Sequence, residues 1–400
     1  MIKRIDLFMP PKSQYQVLHH FTEELAEALT RNGVYCRVME AERDQPKKFL
    51  DQLFSDPPQC TLSFNGLLPD NEGRFFCDLV RIPHVACLVD APNHYLPLIR
   101  SKYTVVTCVD QFFCDFFQGM NFNHVLFMPH GVDRNLVAKS PIKAQRQYDV
   151  LMLASFVDFE AVRESWKQKY NSAILKALDE AAEIALNDKT ISCAVALAQS
   201  LDNLMKSGSY FDSTQLDFVS LLDQLDDYIR GKDRLEVVKA IKDAKVHIFG
   251  IESHKWKKYL GHSPNVVTEE AVPYDQAVRL MQQSKIVLNS SPTLKNGAHE
   301  RILAGIACGA LVITNQNIYM ENNFKPGDGM LFYTPKTMAG INEQVNEYLH
   351  HEEKRQAVVE HGRTVIMNGH TWDHRAAVLI SELESQLNSL NASAAKGEHE

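Results

Sequence analysis

Three chemically active residues, His299, Glu300 and Arg301, stand side by side in the segment NGAHERILAGIACGALVITNQN, residues 296–317. An apolar stretch with helical spacing follows them and closes at Cys308-Gly309, after which a short buried strand is predicted. This order places the trio at the first turn of a helix. Main-chain N–H groups and the positive end of the helix dipole attract anions at such a turn.

A diphosphate is the anion that these side chains suit. Arg301 offers a fork of donors for phosphate oxygens, and Lys295 adds a point charge. Glu300 is placed to accept hydrogen bonds from ribose or hexose hydroxyls. Asn296 and His299 are further candidates for binding the nucleotide sugar. The segment therefore predicts a sugar-nucleotide site assembled without a metal ion. The alternative is that Glu300 and Arg301 only solvate the start of a helix.

Apolar strands alternate with helices on both sides of this segment. In the first third of the chain the strands end near Asn65, Asp90 and Asp110, and a second alternating set starts at YDVLMLASFVD. Buried strands alternating with helices indicate parallel sheets covered on both faces, and ligands of such sheets bind at the carboxyl ends of the strands. We expect an α/β protein with two Rossmann-like domains and a ligand-binding cleft between them.

The expected boundaries follow from this alternation. An N-terminal domain covers 1–135, and a C-terminal nucleotide-sugar domain covers 136–370 with a helical insertion at about 159–245. A closing helix is expected over 371–390 and a flexible tail over 391–400. Within the insertion, KSGSYFDST is predicted as a loop and LDQLDDYIRGKDR as a solvated charge run, with no catalytic spacing.

Composition excludes several classes of protein. The 400 residues are 45% hydrophobic and carry a formal charge of −8, which argues against binding to nucleic acid or an anionic membrane. No apolar run approaches the roughly 18 residues of a membrane-spanning segment. The eight scattered cysteines fit reduced, buried thiols in a cytoplasmic protein better than disulfides or a zinc site.

Five segments of the chain resemble GT-B glycosyltransferases, and most closely their bacterial CgeB-like branch. In the C-terminal half they are KVHIFG, NVVTEEAVPYDQAVRLMQQSKIVLNSSP and HERILAGIACGALVIT, and earlier MPHGVD resembles the run between the two domains of such enzymes. HTWDHRAAVLISEL is similar to their closing helix. The likeness is good over 246–385, fair over 120–158 and only architectural before that.

The resemblance implies transfer of a sugar from a nucleotide diphosphate sugar to a glycan, lipid or protein acceptor, with no cofactor. It also implies that Ser155 contacts phosphate, although the usual glycine is missing from LASFVD. The nucleotide base is expected near Phe249-Gly250 and the EEAVPY segment, with Tyr274 either at the base or simply opening a helix. Oligomeric state is not implied.

One departure affects the stereochemistry. Many retaining enzymes of this class carry two glutamates separated by seven residues, and the matching positions here are Asn296 and Ala304. Glu300, one helical turn before Ala304, is placed to substitute. Retention and inversion both stay open.

An inverting enzyme needs a general base, and the first domain offers Asp90, Asp110 and His94. LVDAPNHY favours Asp90 with His94, although aspartates at strand ends often cap the next helix. His130 in MPHGVD is a candidate for a hinge contact or a structural role. Two other functions remain possible, a sugar-nucleotide epimerase of GT-B shape and a non-catalytic nucleotide-sugar binding protein.

Overall fold

The computed structural model describes residues 2–10, 14–41, 45–139, 146–208 and 216–396. The chain divides into two compact units, one formed by Met1–Asn135 with Gly369–Glu400 and the other by Leu136–Asn368. The second unit is thus inserted between the two parts of the first.

The N-terminal unit contains a six-stranded parallel sheet in the order β2-β1-β3-β4-β5-β6. Its elements are β1 (Arg4–Phe8), α1 (Val17–Arg31), β2 (Tyr35–Met39), α2 (Pro46–Ser55), β3 (Cys60–Phe64), α3 (Phe76–Val80), β4 (His84–Leu88), β5 (Thr104–Cys108), α4 (Gln111–Gly119) and β6 (Val125–Phe127), and α5 (Arg134–Ala138) leads out of the unit. Every residue of β3, β4 and β5 is buried, as expected for parallel strands covered on both faces.

The C-terminal unit contains a seven-stranded parallel sheet in the order β12-β13-β11-β10-β7-β8-β9. Its elements up to the centre of the sheet are β7 (Tyr148–Leu153), α6 (Phe159–Lys169), α7 (Ser172–Asn187), α8 (Cys193–Lys206), α9 (Phe218–Ala240), β8 (Val246–Phe249), α10 (Lys257–Leu260), β9 (Val266–Glu269), α11 (Tyr274–Gln282) and β10 (Ser284–Leu288). The remaining elements are α12 (Glu300–Ala307), β11 (Leu311–Asn315), α13 (Ile318–Asn323), β12 (Lys325–Pro326), β13 (Gly329–Tyr333), α14 (Ile341–His350) and α15 (Glu352–Gly369). The prediction of two Rossmann-like α/β sheets is confirmed.

In the described part of the stretch 159–245, which the sequence analysis predicts as one helical block, the structure has four separate helices. Each helix begins at its own capping side chain, which accepts a first-turn N–H: Asp158, Asn171, Ser192 and Asp217 for α6, α7, α8 and α9. Capping of this kind satisfies N–H groups that a helix start leaves unpaired. Buried leucines, alanines and Trp166 give the four helices a core of their own. The predicted loop KSGSYFDST lies mostly in 209–215, outside the described residues.

The final helix, α16 (Trp372–Lys396), belongs to the N-terminal unit. It packs against α1, where Arg31 donates to the Asp373 carboxylate at 2.6 Å. The tail predicted to be flexible over 391–400 is helical as far as Lys396, because its NASAAK run is rich in alanine, the best helix former. Residues 397–400 lie outside the described residues.

The cysteines are all unbridged thiols, and all but Cys36 are buried. Burial raises the pKa of Cys87 and of Cys308 to about 12, so both stay protonated and unreactive at neutral pH. The prediction of buried thiols is therefore confirmed for seven of the eight cysteines, and their reduced state stays a prediction. Within the described ranges, no helix combines the length and apolar character needed to cross a membrane.

Candidate functional site

Three neighbouring strands, β10, β7 and β8, place the predicted site. They are adjacent and parallel in the C-terminal sheet, so the loops after Leu288, Leu153 and Phe249 leave the sheet on the same side. Sheets of this type bind ligands at the edge formed by these strand ends. The loop after β7 carries Ser155, the loop after β8 starts at Gly250, and the loop after β10 leads into α12.

At the start of α12, His299, Glu300 and Arg301 contact one another. His299 is the N-cap residue, and its Nδ1 accepts the main-chain N–H of Arg301 at 3.4 Å. The Glu300 carboxylate lies 2.5 Å from His299 Nδ1 and 3.7 Å from Arg301 Nε. The three side chains are 21%, 17% and 20% exposed. The trio is thus mostly buried and ordered by mutual contacts, yet still reaches the surface.

His299 is neutral at physiological pH. Burial and the Arg301 guanidinium lower the pKa of His299, and the Glu300 carboxylate opposes them only in part. A neutral imidazole adds no positive charge at the helix start. The positive charge of this turn therefore comes from Arg301 and from the helix dipole.

Arg301 connects α12 to the end of β7. Its guanidinium donates to the carbonyl oxygen of Leu153, the last residue of β7, and its Nε lies 3.3 Å from His299 Nδ1. The loop that carries Ser155, a predicted phosphate contact, starts at this carbonyl. A guanidinium held beside a helix N-terminus and a strand end is well suited to bind phosphate oxygens.

The loops after β7 and β8 are in unusually close contact. A Cβ atom on Gly250 would overlap the carbonyl group of Ala154 and lie 2.8 Å from the main-chain nitrogen of Ser155. Main-chain hydrogen bonds of 2.9 Å from Ala154 to Phe249 and 3.0 Å from Phe156 to Ile251 hold this approach. Glycine is therefore the only residue that fits at position 250 without a shift of the main chain.

The residues predicted near the nucleotide base are partly buried. The Phe249 ring packs edge-on against Tyr148 with centroids 6.3 Å apart. Tyr274 is the first residue of α11 and is half-buried. Both outcomes foreseen for Tyr274, a contact to the base and an ordinary helix start, agree with this position.

Lys295 has a partner on the helical side of the unit. Its side chain is 4% exposed, and its ammonium donates to the carbonyl oxygen of Ala185 near the end of α7. Asn296, the next residue, is half-buried. This contact between the Lys295 ammonium and α7 anchors the loop before α12. A contact between Lys295 and a ligand stays a prediction.

Two charged residues of α9, Asp233 and Arg234, also reach the site edge. They are 2% and 7% exposed, so the prediction of a solvated charge run over LDQLDDYIRGKDR is wrong at its C-terminal end. The Asp233 carboxylate accepts from Ser290 at 2.6 Å and from Tyr333 at 2.7 Å. Burial raises the pKa of Asp233.

The prediction is wrong there because tertiary packing buries a charged face of α9, and no apolar pattern in the sequence indicates that burial. One sequence signal pointed to it. Gly231 interrupts the helical pattern, and a glycine inside a helix often marks a close approach. Its added Cβ would lie 2.8 Å from the carbonyl oxygen of Val157, in the loop after β7.

The candidates of the N-terminal unit cluster at the ends of β3 and β4. The Asp90 carboxylate accepts from Asn65 at 2.8 Å and from the Tyr95 hydroxyl at 3.4 Å. Burial and Asp90 raise the pKa of Tyr95, which stays protonated. Asp90 and His94 are exposed. The structure therefore brings Asn65 and Asp90 into contact and leaves both Asp90 and His94 accessible.

Asp110 and His130 have structural roles in the same unit. The fully buried Asp110 accepts the N–H of Phe112 at 2.8 Å and so caps α4. The His130 ring packs at 5.3 Å from Phe21, and its carbonyl accepts from Arg375 at 3.0 Å. For Asp110 this outcome is the capping alternative raised by its position at a strand end.

Among the described residues, no group of three or more histidine, cysteine, aspartate or glutamate side chains is arranged to hold a metal ion. The metal-free scheme remains a prediction.

One region of the chain matches a known family model. Residues 230–381 match the family model described as glycosyl transferase-like. No curated protein sequence matches the chain. The matched region begins within α9 and extends through the Arg301 helix into α16. This match supports an enzyme of the transferase class.

Solved glycosyltransferase structures share the fold over nearly the whole chain. Alr3699/HepE from Anabaena, in complex with UDP and glucose, is 12% identical with a TM-score of 0.51, covering 96% of this chain and 100% of that one. AviGT4, a glycosyltransferase of avilamycin A biosynthesis, is 9% identical with a TM-score of 0.55, covering 96% and 98%. Sucrose-phosphate synthase from Thermosynechococcus elongatus is 10% identical with a TM-score of 0.50, covering 97% and 99%. The structural match over nearly the whole chain, despite these low identities, shows a common GT-B fold.

Proposed function

We propose that this chain, a GT-B-fold protein with a glycosyltransferase domain, transfers a sugar from a nucleoside diphosphate sugar to an acceptor. The acceptor nucleophile is a hydroxyl or similar group on a glycan, lipid or protein. The observation that carries the proposal is the Arg301 guanidinium, held at the carboxyl end of β7 beside the first turn of α12. Alr3699/HepE has been solved with UDP-glucose, which supports this donor class.

Arg301 and α12 stabilise the leaving group. When the bond between sugar and diphosphate breaks, negative charge grows on the departing phosphate oxygens. A fixed guanidinium and the N–H groups of a helix start stabilise that charge more strongly than they stabilise the ground state. Glu300, at the same helix start, accepts hydrogen bonds from donor hydroxyls and orients the sugar.

For an inverting reaction we assign the general base to Asp90, with His94 as the alternative. Asp90 is exposed, and Asn65 and Tyr95 orient its carboxylate. A base in this role takes the proton of the acceptor nucleophile as the new glycosidic bond forms. We also assign the chain to the CgeB-like branch and to a reducing compartment such as the cytoplasm, which suits its buried thiols.

Donor turnover by the purified protein tests the proposed function. Uridine, guanosine and thymidine diphosphate sugars are incubated with and without candidate acceptors, and nucleotide and sugar products are separated by chromatography. Free nucleotide with a glycosylated acceptor is the expected result. Isomerised donor would identify an epimerase, and tight binding without turnover would identify a binding protein, so either outcome contradicts sugar transfer.

We expect EDTA to leave donor turnover within about twofold of the untreated rate, because Arg301 and the α12 N-terminus neutralise the diphosphate without a metal. Turnover is measured after chelation, gel filtration and addition of Mg²⁺ or Mn²⁺. Loss of turnover on chelation that Mn²⁺ restores would refute the metal-free scheme.

A further inference from the structure

Arg234 of α9 is a buried cation with unused hydrogen-bonding capacity. Its Nη1 donates to the carbonyl oxygen of Ser155 at 2.9 Å, and its side chain is 7% exposed. Among the described residues, its Nε has no hydrogen-bond partner. A buried donor left without a partner is costly, so such a group indicates a partner that arrives with a ligand.

The Arg234 guanidinium lies within electrostatic reach of Arg301. The two side chains donate to carbonyls two residues apart in one loop, those of Ser155 and Leu153. Burial, together with Arg230 and Arg301, lowers the pKa of Arg234 to about 9, although Asp226 and Asp233 partly offset this. Arg234 is thus still protonated at neutral pH, and the site edge carries two guanidinium groups.

Neighbouring acids are already engaged. Asp233 accepts the hydroxyls of Ser290 and Tyr333, and Asp226 pairs with Arg230 at 2.7 Å. The two cations are confined close enough for Arg301 to lower the pKa of Arg234. Such a pair favours an incoming multivalent anion.

The packing of α9 against the loop after β7 fixes the position of Arg234. Gly231, one turn before Arg234, lets the helix approach the loop after β7, because a Cβ there would lie 2.8 Å from Val157 O and 2.9 Å from Phe159 Cβ. The close approach sets Arg234 against Ser155 and leaves little freedom for its guanidinium.

We propose that Arg234 is a second diphosphate-binding residue, reaching the donor from α9 across the loop after β7. The inference rests on the proposed function and deepens it. Arg301 binds from the start of α12 and Arg234 from α9, so the two guanidinium groups hold the two phosphates of the donor in one orientation. The buried helices between β7 and β8 thereby contribute directly to the donor site.

The test compares Arg234→Gln, Arg234→Lys and the wild-type protein in calorimetric binding of UDP, GDP and dTDP and of the corresponding free nucleosides. Arg163→Ala is the matched control, since Arg163 lies on α6 of the same helical block and pairs with Asp179 at 2.8 Å. We expect Arg234→Gln to weaken binding of the preferred diphosphate by about 10- to 100-fold with little change for the nucleoside. Arg234→Lys, which keeps the charge and the fold but loses the fork, is expected to fall between.

Equal loss of diphosphate and nucleoside binding, with a lowered unfolding temperature, would show a purely structural Arg234 and overturn the inference. Wild-type affinity in both Arg234 variants would also overturn it. If Arg301→Ala weakens diphosphate binding while the Arg234 variants do not, the proposed function stands and only this inference fails. If the wild-type protein binds none of the three diphosphates, both fail.

Discussion

Replacing Arg301 with alanine is expected to lower kcat/KM for the donor by about 10²–10³-fold, equivalent to about 2–4 kcal/mol of transition-state stabilisation. The lost guanidinium neutralises charge on the leaving diphosphate, and the remaining helix dipole replaces only part of that effect. The fold should survive, because the side chain is 20% exposed and its contacts, to the Leu153 carbonyl, His299 and Glu300, lie at the partly exposed start of one helix. Steady-state kinetics and thermal unfolding are measured together.

Two variants make this experiment specific. Arg301→Lys keeps a positive charge without the planar fork and should recover part of the activity. Arg279→Ala removes an arginine of α11 that is 72% exposed and paired with Asp275, and should leave kcat/KM unchanged. Wild-type turnover by Arg301→Ala, or equal losses in Arg301→Ala and Arg279→Ala, would exclude the assignment of phosphate binding to Arg301.

Gly250→Ala is expected to have the largest effect on stability, lowering the free energy of unfolding by about 3 kcal/mol or more. The added methyl group would overlap the main-chain carbonyl of Ala154. Relief requires moving the backbone after β7 or β8, and both loops border the donor site. Urea unfolding measures the stability loss, and calorimetry should show that diphosphate binding falls with it.

Gly340→Ala provides the matched control in the same unit. Its added Cβ has no neighbour within 4 Å, and its φ of −92° is open to any residue. We expect a change of less than about 0.5 kcal/mol for this variant. A Gly250→Ala protein as stable as Gly340→Ala would show that the loops after β7 and β8 are not held in the observed contact.

The strands of the site were readable from the sequence because their apolar runs are short and end at recognisable polar residues. The strands β7, β8 and β10 have the sequences YDVLML, VHIF and SKIVL. The start of α12 is predicted from the polar HER that precedes an apolar helical stretch. Local patterns of this kind carry the information, since a parallel strand is buried on both faces whatever its neighbours are.

The contribution of α9 to the site could not be predicted from local sequence patterns. Its charges alternate with leucines as on any amphipathic helix, and the burial of Asp233 and Arg234 depends on a sheet contact made by another part of the chain. Lys295 shows the same limit, because its position predicts a ligand contact and its ammonium instead meets Ala185 of α7. The partner of a long side chain depends on which groups the tertiary structure brings within its reach.

A crystal structure of the full chain with a bound nucleoside diphosphate tests the central claim most directly. We predict phosphate oxygens about 2.7–3.2 Å from the Arg301 guanidinium and from the main-chain N–H groups that open α12. A diphosphate bound elsewhere in the chain, or one whose oxygens point away from Arg301 while the base occupies that position, would contradict it.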